Sequence, residues 1–254
     1  MSKNLLSAII LTKNSAETLT ECLSSIDWIN EIVVVDENSS DKTLEIAKKF
    51  RALVIETSDT NFSNKRNLSA EKCSSEWIFY IDADEKVTPD LKKEILSSIS
   101  NSKFTGYAIL RKNILLGHEM KHGGWWPDYV LRLIKKNNLI SWKGKLHEQP
   151  SLKGDIGKLS NPLIHNSHRS LSKMVEKTNE WSEIEAELLF KTNHPKMTWW
   201  RFFSVAFREF WYRGIIKLGF LDGSTGIIEI IYQMYSRMIT YAKLWEMQIT
   251  KKEK

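Results

Sequence analysis

The run Trp77-Ile78-Phe79-Tyr80-Ile81-Asp82-Ala83-Asp84-Glu85 limits what this chain can fold into more than any other segment. A short apolar stretch rich in isoleucine and aromatics reads as a buried strand. It ends abruptly in three acids, Asp82, Asp84 and Glu85. In an open α/β sheet, ligands collect beyond the carboxyl ends of the strands. Alternate residues at such a tip can aim two carboxylates at one point, and clustered hard oxygens attract Mg²⁺ or Mn²⁺. An ion held there suits a substrate carrying a diphosphate. A solvated acidic turn is the simpler account of Asp-x-Asp alone, so the surrounding pattern decides. The reading also requires both carboxylates to face a cleft rather than be held by neighbouring cations.

That pattern is strand–helix alternation over the first hundred residues. Leu5–Leu11, Glu31–Val35, Ala52–Ile55 and Glu76–Ile81 read as strands, and Ala16–Ile26, Thr43–Phe50 and Asn61–Cys73 as helices. Thr88-Pro89 opens a further helix, with Pro at its first turn and Leu91, Ile95, Leu96 and Ile99 on one face. Alternation of this length implies a mostly parallel sheet with right-handed crossovers. After Phe104 the rhythm changes. Tyr107–Leu110, Tyr129–Ile134 and Leu139–Trp142 look like strands joined by longer loops, and beyond Ser170 the chain reads as helical.

With 254 residues, the chain has room for one large domain or a domain plus an appendage. Two cysteines, Cys22 and Cys73, rule out a disulfide framework or a Cys-rich metal site and favour a reducing, cytoplasmic setting. Leu5–Leu11 is too short to span a membrane and reads as a first strand rather than a signal peptide. The formal charge of +6 is unevenly placed: residues 191–254 carry 11 Lys/Arg against 5 Asp/Glu, which accounts for the whole excess. The same quarter holds 13 of the 27 aromatic residues.

Four features in order carry a family resemblance: Thr12-Lys13-Asn14, Val33-Val34-Val35-Asp36 with its Ser/Asp-rich turn, Lys65-Arg66-Asn67, and Asp82-Ala83-Asp84. The chain resembles the inverting family 2 glycosyltransferases, which have the nucleotide-sugar-binding GT-A fold. The likeness continues through Gly124-Trp125-Trp126-Pro127-Asp128, Leu131-Arg132-Leu133, Leu146-His147-Glu148 and Gly219-Phe220-Leu221-Asp222-Gly223. That longer set is similar to the bacterial lipopolysaccharide-core β-1,4-glucosyltransferase group.

The resemblance implies an α/β GT-A domain over 1–168, with a nucleotide-binding half at 1–100 and an acceptor half at 101–168, followed by an amphipathic helical region at 169–254. It implies a metal-dependent transfer of a hexose, glucose by this likeness, from a UDP-sugar to an envelope saccharide or lipid-linked saccharide. Sugar transfer to a peptide or protein is the alternative within enzymes. A nucleotide- or nucleic-acid-binding module without catalysis is the alternative outside them, although no recognisable DNA- or RNA-binding motif accompanies the basic tail.

The resemblance implies the following roles, residue by residue. Asp36 accepts from the uracil imide, with Thr12 beside the same base; helix capping is its simpler role. Asp84 ligates Mg²⁺ or Mn²⁺, while Asp82 reaches the ribose or the ion. Lys65 and Arg66 supplement the ion at the diphosphate. Glu148 is the candidate general base and Asp128 the second choice. His147 either ligates the metal or orients Glu148. Trp125 and Trp126 form a platform for sugar faces or an ordinary packed pair. Arg132, grouped with the acceptor side, needs a phosphate or an acid as partner. His165 and His168 are spaced like a metal pair but read better as ordinary hydrogen-bonded histidines.

In the tail, Trp199, Phe203, Phe207 and Phe210 share a helical face, and Gly214 is expected to interrupt the helix. A second helix starting near Ser224 carries a stripe of Ile227, Ile231, Met234, Met238, Ala242 and Trp245. These faces either bury themselves in protein, including a second copy of the chain, or rest on the inner leaflet of a membrane.

Overall fold

The computed structural model describes residues 5–144 and 148–250. The chain divides into two compact units, residues 1–112 with 128–165, and residues 113–127 with 166–254.

In the first unit, β1 (Leu6–Thr12), β2 (Glu31–Asp36), β3 (Leu53–Glu56) and β4 (Trp77–Asp82) run parallel. They are connected by α1 (Ala16–Ser25), α2 (Thr43–Lys49) and α3 (Phe62–Lys72). After β5 (Glu85–Val87), Thr88 caps α4 (Pro89–Ser100) by accepting from the Leu91 amide at 3.2 Å, with Pro89 in the first turn as expected. The later strands are β6 (Gly106–Leu115), β7 (His118–Glu119), β8 (Asp128–Lys135), β9 (Leu139–Lys143), β10 (Gln149–Leu152) and β11 (Ile156–His168). The sheet order is β3-β2-β1-β4-β8-β6-β11-β5, while β9 and β10 form a separate hairpin. Four strands lie outside those read from the sequence: β7, which pairs with β6 beside the main order, β10, and β5 and β11, which pair with one another antiparallel through Leu163–Val87 and His165–Glu85.

Period-two alternation explains why this sheet is buried on both faces. From β4, Trp77, Phe79 and Ile81 enter a core shared with Leu19 and Leu23 of α1 and Leu91 and Ile95 of α4. Ile78 and Tyr80 point to the opposite core, with Ala70 of α3 and Trp142 of β9. Each such side chain contributes about 1.5–3 kcal/mol of burial. A continuous apolar run is what a doubly covered parallel strand requires. Cys22 and Cys73 are both buried free thiols.

The second unit contains α5 (Leu171–Lys191), α6 (Trp199–Glu209) and α7 (Gly223–Thr250). Gly214 does not break the chain after α6. A π-helical stretch, Phe210–Ile216, carries the helix through a buried Gly214, and the turn comes at Leu218, where φ is +54°. Gly226 lets α7 approach closely, since a Cβ there would lie 1.9 Å from the Gly219 carbonyl oxygen. Segment 113–127, expected with the sheet, groups with these helices instead. The physical reason is Asp222, which accepts from the amides of Lys121 (3.0 Å) and His122 (2.8 Å) and lies 2.9 Å from His122 Nδ1. Arg213 adds a 3.1 Å bond to the Gly123 carbonyl.

Along α7 the buried line is Gly226, Ile230, Thr240 and Leu244. The more apolar line foreseen from the sequence, including Ile227, Ile231, Met238 and Trp245, stays exposed. Gly226 enters the buried line through its close approach to Gly219, and α5 packs further along the helix, with Thr178 donating to Tyr232 at 2.8 Å and Tyr232 to the Met174 carbonyl at 3.0 Å.

Glu229, also buried on α7, has its carboxyl pushed up from 4.5 to about 7 by burial, against the opposing pull of Gln233 and Arg213. The folded state therefore binds this proton more tightly than the unfolded chain does. Stability contributed here is present below pH 4.5 and is lost as pH rises through about 7. Glu229→Gln is expected to gain about 3 kcal/mol over the native chain at pH 8 and less than about 1 kcal/mol at pH 5. Urea unfolding at the two pH values checks this, and an equal gain at both would reject it.

Candidate active site

The parallel strands deliver the acids and hydroxyls to one edge. Thr12 sits opposite Asp36 across β1 and β2, and Leu11 opposite Asp82 across β1 and β4. These residues thus share the carboxyl end of the sheet, where an α/β fold builds its ligand site.

Asp36 is fully buried there. It accepts from the Thr12 hydroxyl at 2.8 Å, the Ser39 amide at 2.8 Å and the Ser39 hydroxyl at 2.6 Å. Oδ1 takes both hydroxyls and Oδ2 the amide, so Oδ2 retains one lone pair. Capping duties fall to Asp41, which accepts from the amides of Thr43 (2.9 Å) and Ala16 (3.0 Å). Lys65, expected to touch a diphosphate, is buried against Glu37 at 2.5 Å with its ammonium over the Phe62 ring. Lys13 reaches the other Glu37 oxygen at 2.7 Å. Burial alone would raise the Glu37 carboxyl, and the two ammoniums hold it below its ordinary value. Glu37 was not singled out from the sequence. Its signal was its place directly after Asp36 at a strand end.

Most of the remaining predicted residues fall into one alternating line of charges. Glu148 accepts from Arg66 Nε at 3.1 Å, and Arg66 Nη2 donates to Asp82 at 3.3 Å. Arg132 grips both Asp82 oxygens and continues to Glu85 at 2.6 Å. Arg111 lies 3.7 Å from Glu85 and bonds Asp128 at 2.8 and 2.9 Å. Four acids and three arginines thereby connect both candidate bases to the strand tip. Arg132, for which a phosphate or an acid was required, meets two acids. Arg66 is sandwiched further, 4.8 Å from the Trp142 ring and 5.4 Å from that of Tyr80.

The interior of this line is electrostatically committed. Burial would raise the Asp82 carboxyl, but Arg132 and Arg66 together hold it well below the usual carboxylate range. Burial would likewise lower Arg132, and Asp82 with Glu85 raises it instead. Glu85 is pushed up by burial, with Arg132 opposing. Removing one partner from a buried pair of this kind costs about 3–5 kcal/mol. Glu85 thus serves to hold Arg132, and Arg132 to aim Asp82.

The two aspartates of the motif therefore have different surroundings. The requirement that both carboxylates be free of neighbouring cations fails for Asp82, whose two oxygens are taken by Arg132 and Arg66, the arrangement that weakens it as a metal ligand. Asp84 stands outside the arginine line, 30% exposed, with His165 Nε2 3.6 Å from Oδ2. The sequence favours an ordinary hydrogen-bonded histidine at 165; the antiparallel β5–β11 pairing, invisible in the sequence, is what brings it to Asp84. Among the described residues, no group of three or more His, Cys, Asp or Glu converges on a metal position. Mg²⁺ commonly takes only one or two carboxylates, with waters and substrate phosphates completing its shell. Asp84 fits that requirement with His165 as neighbour, whereas Asp82 has both oxygens in use. His147 lies outside the described residues. Trp125 and Trp126 belong to the second unit, the former half-buried near Glu229 and the latter exposed.

Comparison with known proteins adds to this geometry. The family model for glycosyl transferase family 2 matches residues 7–150. An uncharacterized glycosyltransferase of Rickettsia felis is 26% identical over 262 residues, covering 95% of this chain and 89% of that protein. The lipopolysaccharide core biosynthesis glycosyltransferase LpsC of Rhizobium meliloti is 25% identical over 260 residues, covering 95% and 92%. Among solved structures, TarS of S. aureus in complex with UDP-GlcNAc aligns with a TM-score of 0.48 and 15% identity, over 98% of this chain and 92% of that one.

Proposed function

The chain belongs to glycosyl transferase family 2, and from that premise we propose that it moves a hexose from a UDP-sugar to a saccharide of the bacterial envelope. Glucose is the hexose, by the resemblance drawn from its motifs, and lipopolysaccharide core the acceptor class. The near full-length likeness to LpsC supports the acceptor. The observation that carries the donor reading is Asp84, a partly exposed carboxylate beside His165 and next to a strand tip whose other acids are already neutralised by arginine.

In an inverting transfer, an acceptor oxygen attacks the anomeric carbon as the bond from that carbon to the diphosphate oxygen breaks. The acceptor proton goes to Glu148, on the oxygen that Arg66 does not hold. Arg66 fixes the direction of that carboxylate, so one residue ties the base to the strand tip. A divalent ion, when bound at Asp84 with His165, supplies positive charge to the departing diphosphate. Base recognition is assigned to the remaining lone pair of Asp36. A carboxylate accepts from the imide N–H of uracil, which cytosine lacks.

The test is a panel of UDP-, CDP- and GDP-sugars, each with Mg²⁺, Mn²⁺ or a chelator, following nucleotide release. UDP-sugars are expected to turn over about tenfold or more faster than GDP-sugars, with loss of activity on chelation. Equal use of UDP- and CDP-sugars would remove the role given to Asp36, because cytosine lacks the N–H that its carboxylate accepts. Full activity in chelator would remove that given to Asp84.

A further inference from the structure

From α6 to the first turns of α7, the second unit exposes a succession of large apolar side chains. Trp199, Trp200, Phe203, Phe207, Trp211 and Ile216 are each between 49% and 72% exposed, and Ile227 and Ile231 extend the set at 50% and 60%. The rings are neighbours, with Trp199 5.9 Å from Trp200 and 6.2 Å from Phe203, and Phe207 stacked 6.0 Å from Trp211. Soluble monomers rarely leave apolar patches beyond a few hundred Å² uncovered.

The charges around this surface have one sign. Between residues 192 and 228 the only acids are Glu209 and Asp222. Glu209 is paired with Arg213 at 3.2 Å and with Arg237 at 3.6 Å, and Asp222 is buried against His122. Lys196, Arg208 and Lys217 are exposed. Among the described residues, no helix is long and apolar enough to cross a membrane.

We propose that this surface lies on an anionic lipid bilayer, its aromatic side chains at the level of the headgroups and Arg208 and Lys217 paired with lipid phosphates. Tryptophan suits that depth because its ring is apolar and its N–H finds partners among headgroups. Basic side chains beside an apolar helical face gain further from anionic lipid. A second copy docked on the same face by two-fold symmetry would bring like charges together without an acid to answer them. The inference rests on the second unit alone and stands apart from the sugar-transfer reading.

Flotation of the full chain with vesicles tests it. The chain is expected to float with phosphatidylglycerol–phosphatidylcholine vesicles and to do so much less with phosphatidylcholine alone or in high salt. Trp200→Ser combined with Phe203→Ser and Phe207→Ser should cut partitioning about tenfold or more while leaving the thermal transition by circular dichroism unchanged. Arg208→Glu with Lys217→Glu tests the charge component without touching the aromatic face, and should remove the preference for anionic vesicles. Failure of the native chain to float would overturn the proposal, as would equal flotation of either variant. A dimer in light scattering that the serine variant abolishes would overturn it too, by giving the face to a second copy.

Discussion

Asp84→Ala is expected to abolish sugar transfer, lowering kcat by about a thousandfold or more. The loss follows from chemistry rather than folding. Asp84 is partly exposed and stands outside the arginine-linked acids, so its removal leaves no buried cation unpaired. The paired measurement is UDP affinity with and without Mn²⁺. Native chain should bind UDP more tightly with the ion, and the alanine variant should bind equally with or without it. Lost turnover with an intact metal effect on binding would place the ion elsewhere. His165→Ala should show a weaker version of the same pattern, since a single carboxylate with phosphate oxygens already meets the needs of Mg²⁺.

Glu148→Gln carries the second large effect. A glutamine retains an oxygen for the 3.1 Å bond from Arg66 Nε but cannot take a proton. The expectation is a kcat lowered about 10²–10⁴-fold with UDP affinity unchanged. Asp128→Asn is the internal comparison, because Asp128 is also tied to an arginine and was the second choice for base. If asparagine at 128 costs the larger factor, the proton goes there and Glu148 becomes a positioning residue. If the glutamine variant loses UDP binding, its carboxylate belongs to the donor site and the assignment fails.

The parts of this fold that were legible in the sequence share a physical cause. Strand β4 and its neighbours are covered on both faces, so their composition is uniformly apolar and ends where the ligand edge begins. Helix α4 carries a capping Thr88 and a Pro in its first turn, both local signals. By contrast, β11 is interrupted in composition by Asn161-Pro162 and its register is set by β5, a strand of three residues. Neither has a period of its own long enough to be seen. The acids of the strand tip were visible for the same reason that β4 was. Their cation partners were partly hidden, because Arg111 comes from β6, one strand beyond β8, and nothing in spacing relates it to Glu85 and Asp128. Gly214 shows the opposite failure, in which a residue that disfavours helix is carried through a π-helical stretch because its lack of a side chain suits close packing beneath Ile230.

Asp222 is where the chain from 113 to 127 is pinned, by two backbone amides and an imidazole supplied from a stretch a hundred residues earlier. A gene cut short before this aspartate would therefore do more than delete helices. It would orphan the amides of Lys121 and His122 and unmoor the tryptophans that follow them, so a shortened product that loses activity says little about which of the two segments the substrate needs.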